Sequence, residues 1–288
     1  MYRILICTIS FLLSSCYVCG QTKQDAQMAI KNDIETMKGK LPLNIGDGRT
    51  LFDVQYDKGI SVFKYSLDAA TSAYILKMQE KMSQKYGMNL LGDNTIINAL
   101  EATYKSSGIY YAAKAALKNP TLMLICELSG YPIKNFIYDE GQEDIIVTYY
   151  FDYKDLELYF PAIKSFERKG ISENDAIGVC NSYETFWQGV QLRKEQCPSI
   201  ISDEETLKSI EADRYQNSIT YNYDLNDGIL LGTSSQTLKD LYIDTYSSIM
   251  KLDKNTEFFD VTINCVYTGK KNKGLKKSFT LKLSELDK

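Results

Sequence analysis

The chain has 288 residues, 44% of them hydrophobic and 24% charged, with a formal net charge of −4. This is a globular composition, long enough for one large domain or two ordinary ones, and its mild acidity offers nothing to attract nucleic acid. Histidine is absent, which excludes Ser-His-Asp triads, Cys-His pairs and His-ligated zinc and leaves catalysis only Asp, Glu, Lys, Tyr, Ser or Cys to run on.

Residues 1–20 read as an export leader. Met1-Tyr2-Arg3 is a short basic start, and residues 4–13 are an almost unbroken apolar run. A membrane-spanning helix needs about 20 apolar residues, so the run is too short to be one. A buried N-terminal core helix is the bland alternative, but the segment has no cap and meets polar Gln21-Thr22-Lys23-Gln24 at once. Two cuts stay open. Leu13-Ser14-Ser15-Cys16 resembles the lipobox of bacterial lipoproteins, which would make Cys16 a lipid anchor and a membrane the partner. Val18-Cys19-Gly20 before Gln21 instead suits an ordinary signal peptidase. Cysteine parity favours the second cut, which leaves four cysteines, whereas the first leaves an odd five beside the lipidated one.

Residues 22–40 have helical spacing, and an internal duplication follows them. Leu41-Pro42-Leu43-Asn44-Ile45-Gly46-Asp47-Gly48-Arg49-Thr50-Leu51 aligns without gaps on Cys197-Pro198-Ser199-Ile200-Ile201-Ser202-Asp203-Glu204-Glu205-Thr206-Leu207, 156 residues on. Val54 then matches Ile210, and Asp57 matches Asp213. After two extra residues in the second copy, Phe63-Lys64-Tyr65-Ser66-Leu67 matches Tyr221-Asn222-Tyr223-Asp224-Leu225. Further along, Leu124-Ile125-Cys126-Glu127-Leu128-Ser129-Gly130 resembles Ile263-Asn264-Cys265-Val266-Tyr267-Thr268-Gly269. The Pro-x-x-x-Asp-x-x-Thr-Leu stretch, with its aromatic-x-Tyr-x-Leu strand, resembles small exported bacterial proteins of uncharacterised function. That resemblance implies no activity.

Alternation marks three strands in each copy. The first pair is Phe63, Tyr65 and Leu67 with Ile219, Tyr221, Tyr223 and Leu225. The second is Leu122, Leu124, Cys126 and Leu128 with Val261, Ile263, Cys265 and Tyr267. The third is Ile145, Val147, Tyr149 and Phe151 with Phe279, Leu281 and Leu283. Helical stretches cover 71–91 and 94–118, the latter broken at Ser106-Ser107-Gly108 and ended by Pro120. Ser172-Glu173-Asn174-Asp175 caps a helix with Ile177, Cys180, Trp187 and Val190 on one face. Leu238, Leu241, Thr245 and Ile249 define another.

Each copy therefore reads helix, strand, helix, strand, strand. The fold expected is α+β: two diverged repeats, mainly antiparallel sheets with helices packed on one face. The boundaries are 21–153 for the first repeat with an extra helical insertion, 154–171 for a connector and 172–288 for the second repeat. Met123, Ile125, Ile146 and Tyr150 make the outer positions of the first copy apolar, so that sheet is expected to be covered on both faces, under the 94–118 helix. The second copy places Thr220, Asn222, Asp224, Thr262, Asn264, Thr280 and Lys282 outward, an open polar face expected to bind.

Cys126 and Cys265 read as buried thiols or as a bridge between equivalent strands. Cys180 and Cys197 on one straight helix would stand about 25 Å apart, too far to bridge. Asp224-Leu225-Asn226-Asp227-Gly228 is no calcium loop, because its Gly comes early and no Glu stands twelfth. The basic run Lys270-Lys271-Asn272-Lys273-Gly274-Leu275-Lys276-Lys277 reads as a solvated hairpin turn or as an anion or lipid-headgroup contact. Asp47, Asp203, Thr50 and Thr206 recur in both copies and read as turn residues bonded to local backbone. Glu127, Asp139, Glu140, Glu143 and Asp144 are the carboxylates available to a catalytic dyad. The function expected is an exported, lipid-anchored envelope protein with a binding or structural role, without cofactor, metal or catalytic residues. Its partners would be the membrane and another envelope protein, not nucleic acid. The alternative is a secreted hydrolase using carboxylate or Tyr/Lys groups.

Overall fold

The computed structural model describes residues 22–46, 48–86, 94–247 and 258–287. The expected leader with Cys16, and also Asp47 and Ile249, lie outside them. Thr22 opens the first helix: its hydroxyl accepts the Asp25 N–H at 3.2 Å, and the Asp25 carboxylate accepts the Thr22 N–H at 3.3 Å. Helix α1 (Lys23–Lys38) then buries Ala26, Ile30, Ile34 and Met37 along one stripe. Strands β1 (Leu43–Gly46), β2 (Arg49–Asp57) and β3 (Ile60–Leu67) form an antiparallel meander. Helices α2 (Ala69–Tyr86), α3 (Asn94–Lys118) and α4 (Pro120–Ser129) lead to the hairpin of β4 (Ile133–Tyr138) and β5 (Ile145–Phe151). Strand β4 joins parallel to β3, so the sheet runs β1-β2-β3-β4-β5. Helix α5 (Tyr153–Lys169) ends the first unit, whose boundary falls after Ser172.

The second unit repeats this plan. Helix α6 (Glu173–Glu195) precedes β6 (Ser199–Ile200), β7 (Glu205–Asp213) and β8 (Ser218–Leu225). Two helices, α7 (Asp227–Gly232) and α8 (Ser235–Ser247), then lead to β9 (Thr262–Gly269) and β10 (Lys276–Lys282), followed by a 3-10 turn, Leu283–Asp287. The sheet order, read from its other edge, is β6-β7-β8-β9-β10, with β8 and β9 parallel.

The duplication holds residue by residue. Leu43 faces Leu51 and Ser199 faces Leu207; Leu51 faces Tyr65 and Leu207 faces Tyr223. Each long hairpin carries a bulge at the same place, at Phe52 and at Lys208. The Leu41–Pro42 and Cys197–Pro198 bonds are both cis. The two extra residues of the second copy lie in the β7–β8 turn.

Strand β9 does not correspond to 122–128, however. Ser61 pairs with Ile133 as Ile219 pairs with Ile263, so its counterpart is β4. The 122–128 stretch is helix α4. Asn119 caps it by accepting the N–H groups of Thr121 at 3.0 Å and Leu122 at 3.2 Å, Pro120 takes the first turn, and left-handed Gly130 ends it. Leu122, Ile125 and Cys126 are buried at helical spacing. A bridge between Cys126 and Cys265 loses its premise, since the two do not stand on equivalent strands; both are free, buried thiols.

The expected break in α3 is also absent. The hydroxyls of Ser106 and Ser107 donate to the Thr103 carbonyl at 3.0 and 2.8 Å, which satisfies them without interrupting the helix. Far from covering a second face, α3 is the centre of the unit. It packs between the inner side of the sheet and α5, and it is buried nearly all round, from Ala102 to Ala116. The first sheet is therefore covered once. Met123 and Ile125 belong to α4, and no described residue covers Tyr150, 45% exposed; a register shift at Ile146 also turns Ile145, expected inward, to an exposed position at 51%. Residues 154–171 form most of α5, which opens on a reciprocal Asp152–Asp155 cap and buries Leu156, Tyr159, Ile163 and Phe166 in the first unit.

Candidate functional site

The seven residues expected on an open polar face share one side of the second sheet. Their strand neighbours Ile219, Tyr221, Tyr223, Ile263, Cys265, Phe279 and Leu281 are all buried on the other side. Asn264 stands beside both Thr220 and Thr280, and Thr262 beside Lys282. Much of this face bonds to itself or to its rim. Thr280 donates to Asn264 at 2.8 Å, and Asn222 donates to Ser209 and Glu211, each at 3.2 Å. Lys282 pairs with Asp260 and Asp224 with Lys273, each at 3.0 Å. One Asp224 oxygen has no partner.

The other expected features serve the fold. Asn226 accepts the Gly228 N–H at 2.8 Å and starts α7, while the Asp227 carboxylate accepts the N–H groups of Lys271 at 3.1 Å and Asn272 at 2.9 Å. Asp227 thus clasps the β9–β10 loop, and a Cβ at Gly269 would come within 2.6 Å of it. Of the basic run, Lys270 donates to the Asp203 carbonyl at 2.6 Å, Lys273 pairs with Asp224, and Lys277 donates to the Thr233 carbonyl. Thr50 and Thr206 stand in strands paired with Asn44 and Ile200, not in turns; Ser202 is the residue whose hydroxyl accepts local N–H groups, those of Glu204 and Glu205. Asp139 accepts the N–H groups of Glu143 and Asp144 and so shapes the β4–β5 turn. Helix α6 runs unbroken to Glu195, and the Cys197 thiol donates to the Arg193 carbonyl at 3.4 Å. Among the described residues, none of the His, Cys, Asp and Glu side chains gather in a group of three fit for a metal.

A different site comes from the inner side of the second sheet. A cleft of about 300 Å³ opens at one end of it, a volume at the lower end for small-molecule pockets. Glu205, Leu225 and Tyr267 line it from the sheet, and Ile229, Leu238, Leu241 and Tyr242 from α7 and α8. Leu241, expected on the packed side of α8, is exposed at the rim, and Tyr242 takes the buried position. Burial pushes the Glu205 carboxyl above its ordinary value, and the Lys270 charge opposes that. Its side chain accepts no hydrogen bond from a described residue.

The duplicated partner of Glu205 is Arg49. Arg49 faces Leu67 across β3 as Glu205 faces Leu225 across β8, and both point inward. In the first unit the guanidinium is buried, 4.5 Å over the Tyr104 ring of α3 and 5.5 Å over the Tyr65 ring. Tyr223, the counterpart of Tyr65, instead stacks on Tyr267 at 4.8 Å. The stretch from β8 to β9 is much shorter than that from β3 to β4, and its helix α8, which packs on β10 as α3 packs on β5, has 13 residues against 25. At this end of the sheet the first copy buries a cation; among the described residues, the second has a cleft with a carboxylate in the same place. The signal for Glu205 lay in the gapless alignment, as an Arg-to-Glu exchange directly before the shared Thr-Leu.

Comparison of the chain with protein families, curated proteins and solved structures finds no match. Among the described residues, no helix is long and apolar enough to cross a membrane.

Proposed function

We propose that the protein is exported to the bacterial cell envelope, held there by a lipid on Cys16, and serves a binding or structural role that is not catalytic. Export rests on the leader pattern of residues 1–20. The observation that carries the binding role is the open face of the second sheet. Its amides and carboxylates are already held in place by one another, so contact there would cost little side-chain entropy.

Two measurements test this. Intact mass of the protein from its native envelope should show a diacylated Cys16; an N-terminus at Gln21 would remove the anchor, and an uncut Met1 in the cytoplasm would remove export. Envelope protein captured by the immobilised mature chain should be lost when Thr220 and Thr262 are both changed to Lys, and kept in a Lys271→Glu control. Equal capture by the wild type and the double variant would sink the role of this face.

A further inference from the structure

We infer that the cleft of the second unit binds small organic cations, an ammonium or guanidinium group carrying a short apolar body. This goes beyond the sheet-face role and does not depend on it. Two carboxylates line the cleft, the exposed Glu204 and the half-buried Glu205 that points inward from β7, beside Leu225, Ile229, Leu238 and Leu241. An anion removed from water without a hydrogen-bond partner is costly, and a bound cation relieves that cost. The nearby Lys270 ammonium already donates to the Asp203 carbonyl at 2.6 Å. Tyr242 and Tyr267 line the same space, and aromatic rings beside a carboxylate are the usual surroundings of a bound ammonium or guanidinium group.

The protein carries its own precedent. The equivalent position of the first copy holds a guanidinium against two tyrosine rings, supplied by Arg49 and shut in by α3. In the second copy the charge at the position is reversed, and Lys270 acts on Glu205 through its charge without a hydrogen bond to it, while a cleft lies beside the carboxylate. Leu238 and Leu241 then offer contact for an apolar body. The cleft volume limits that body to a small one.

The test uses the mature chain and three probes of one length, n-hexylammonium, n-hexanol and n-hexanoate, with binding followed by calorimetry. Hexylammonium should bind at least tenfold more tightly than the other two. Glu205→Gln should weaken it at least tenfold while hexanol is unaffected, and Glu211→Gln, on the opposite face of the sheet, should change nothing. A Leu241→Lys variant, altered only at an exposed rim position, should also weaken hexylammonium and keeps the test decisive if Glu205→Gln folds poorly. Absence of hexylammonium binding, equal binding of hexanol or hexanoate, or indifference to both Glu205→Gln and Leu241→Lys would overturn the inference. None of these results bears on export or on capture through Thr220 and Thr262.

Discussion

The guanidinium of Arg214 grips the carboxylate of Glu184 with two nitrogens, one contact at 2.7 Å, and so ties the β7–β8 turn to helix α6. Arg214 also lies 5.6 Å from the Tyr183 ring centre, and the Tyr183 hydroxyl donates to Asn217. The first copy turns with only Lys58-Gly59 here, so the two additional residues of the second copy build this clasp.

Arg214→Ala should therefore be severe. The Glu184 side chain is only 3% exposed, and removing its partner leaves a buried charge uncompensated, at a cost of about 3 kcal/mol. Replacing both, as Glu184→Leu with Arg214→Met, should recover most of the loss in chemical denaturation. A double variant as unstable as the sum of the singles would show that the pair is not coupled.

Asp33 makes stability depend on pH. It lines a small cavity of about 40 Å³ with Ile30, Met37, Leu122 and Tyr131, and burial raises its carboxyl from 3.8 to about 6. The folded chain thus holds this proton more tightly than the unfolded chain, so its contribution falls as pH rises from about 4 through about 6. Asp33→Asn should stabilise the protein at pH 7 by on the order of 1 kcal/mol and have little effect near pH 2.5, where the acid is protonated in both states. Melting curves at the two pH values check this, and an equal gain at both would refute it.

Thiol reactivity should separate the cysteines. Burial drives the thiols of Cys126, Cys180 and Cys265 upward, which suppresses the reactive thiolate, whereas Cys197 is half-exposed. In a chain beginning at Gln21, a thiol reagent should modify Cys197 quickly and the other three only after unfolding. A disulfide in the mass of the purified protein would contradict the four free thiols.

Gly108 lets α3 approach the sheet. A Cβ there would stand 3.1 Å from the Phe151 ring, tight but on a side chain that can shift. For Gly108→Ala, the helix-propensity gain of about 1 kcal/mol offsets the crowding, so stability should hardly change. Gly108→Val adds bulk with no such room and should cost about 2 kcal/mol. If valine is tolerated as well as alanine in denaturant titrations, α3 does not press on Phe151.

Some elements depart from their sequence pattern for local reasons. The Leu122, Leu124, Cys126, Leu128 run is apolar on every side, so period 2 and period 3.6 fit it equally; the Asn119-Pro120 start and Gly130 stop were the signals that favoured a helix. Strands β2 and β7 escaped because the bulges at Phe52 and Lys208 break their alternation in mid-strand. Helix α3 looked like an accessory because an insertion in a repeat is usually added outside it, yet here it fills the core.

The amino-acid order was enough to determine the α+β class, the duplication as far as β3 and β8, and which side chains of those two strands turn inward. Those properties follow from periodicity and from residue matches along the chain, which are local. Which sheet face stays open, and which end of a sheet is sealed, was decided only in three dimensions. Arg49 and Glu205 occupy the same place in the alignment, but one is closed in by a helix some fifty residues away in sequence, and the other is left facing a cleft. Burial of a side chain depends on what packs over it, and no pattern within its own strand carries that information.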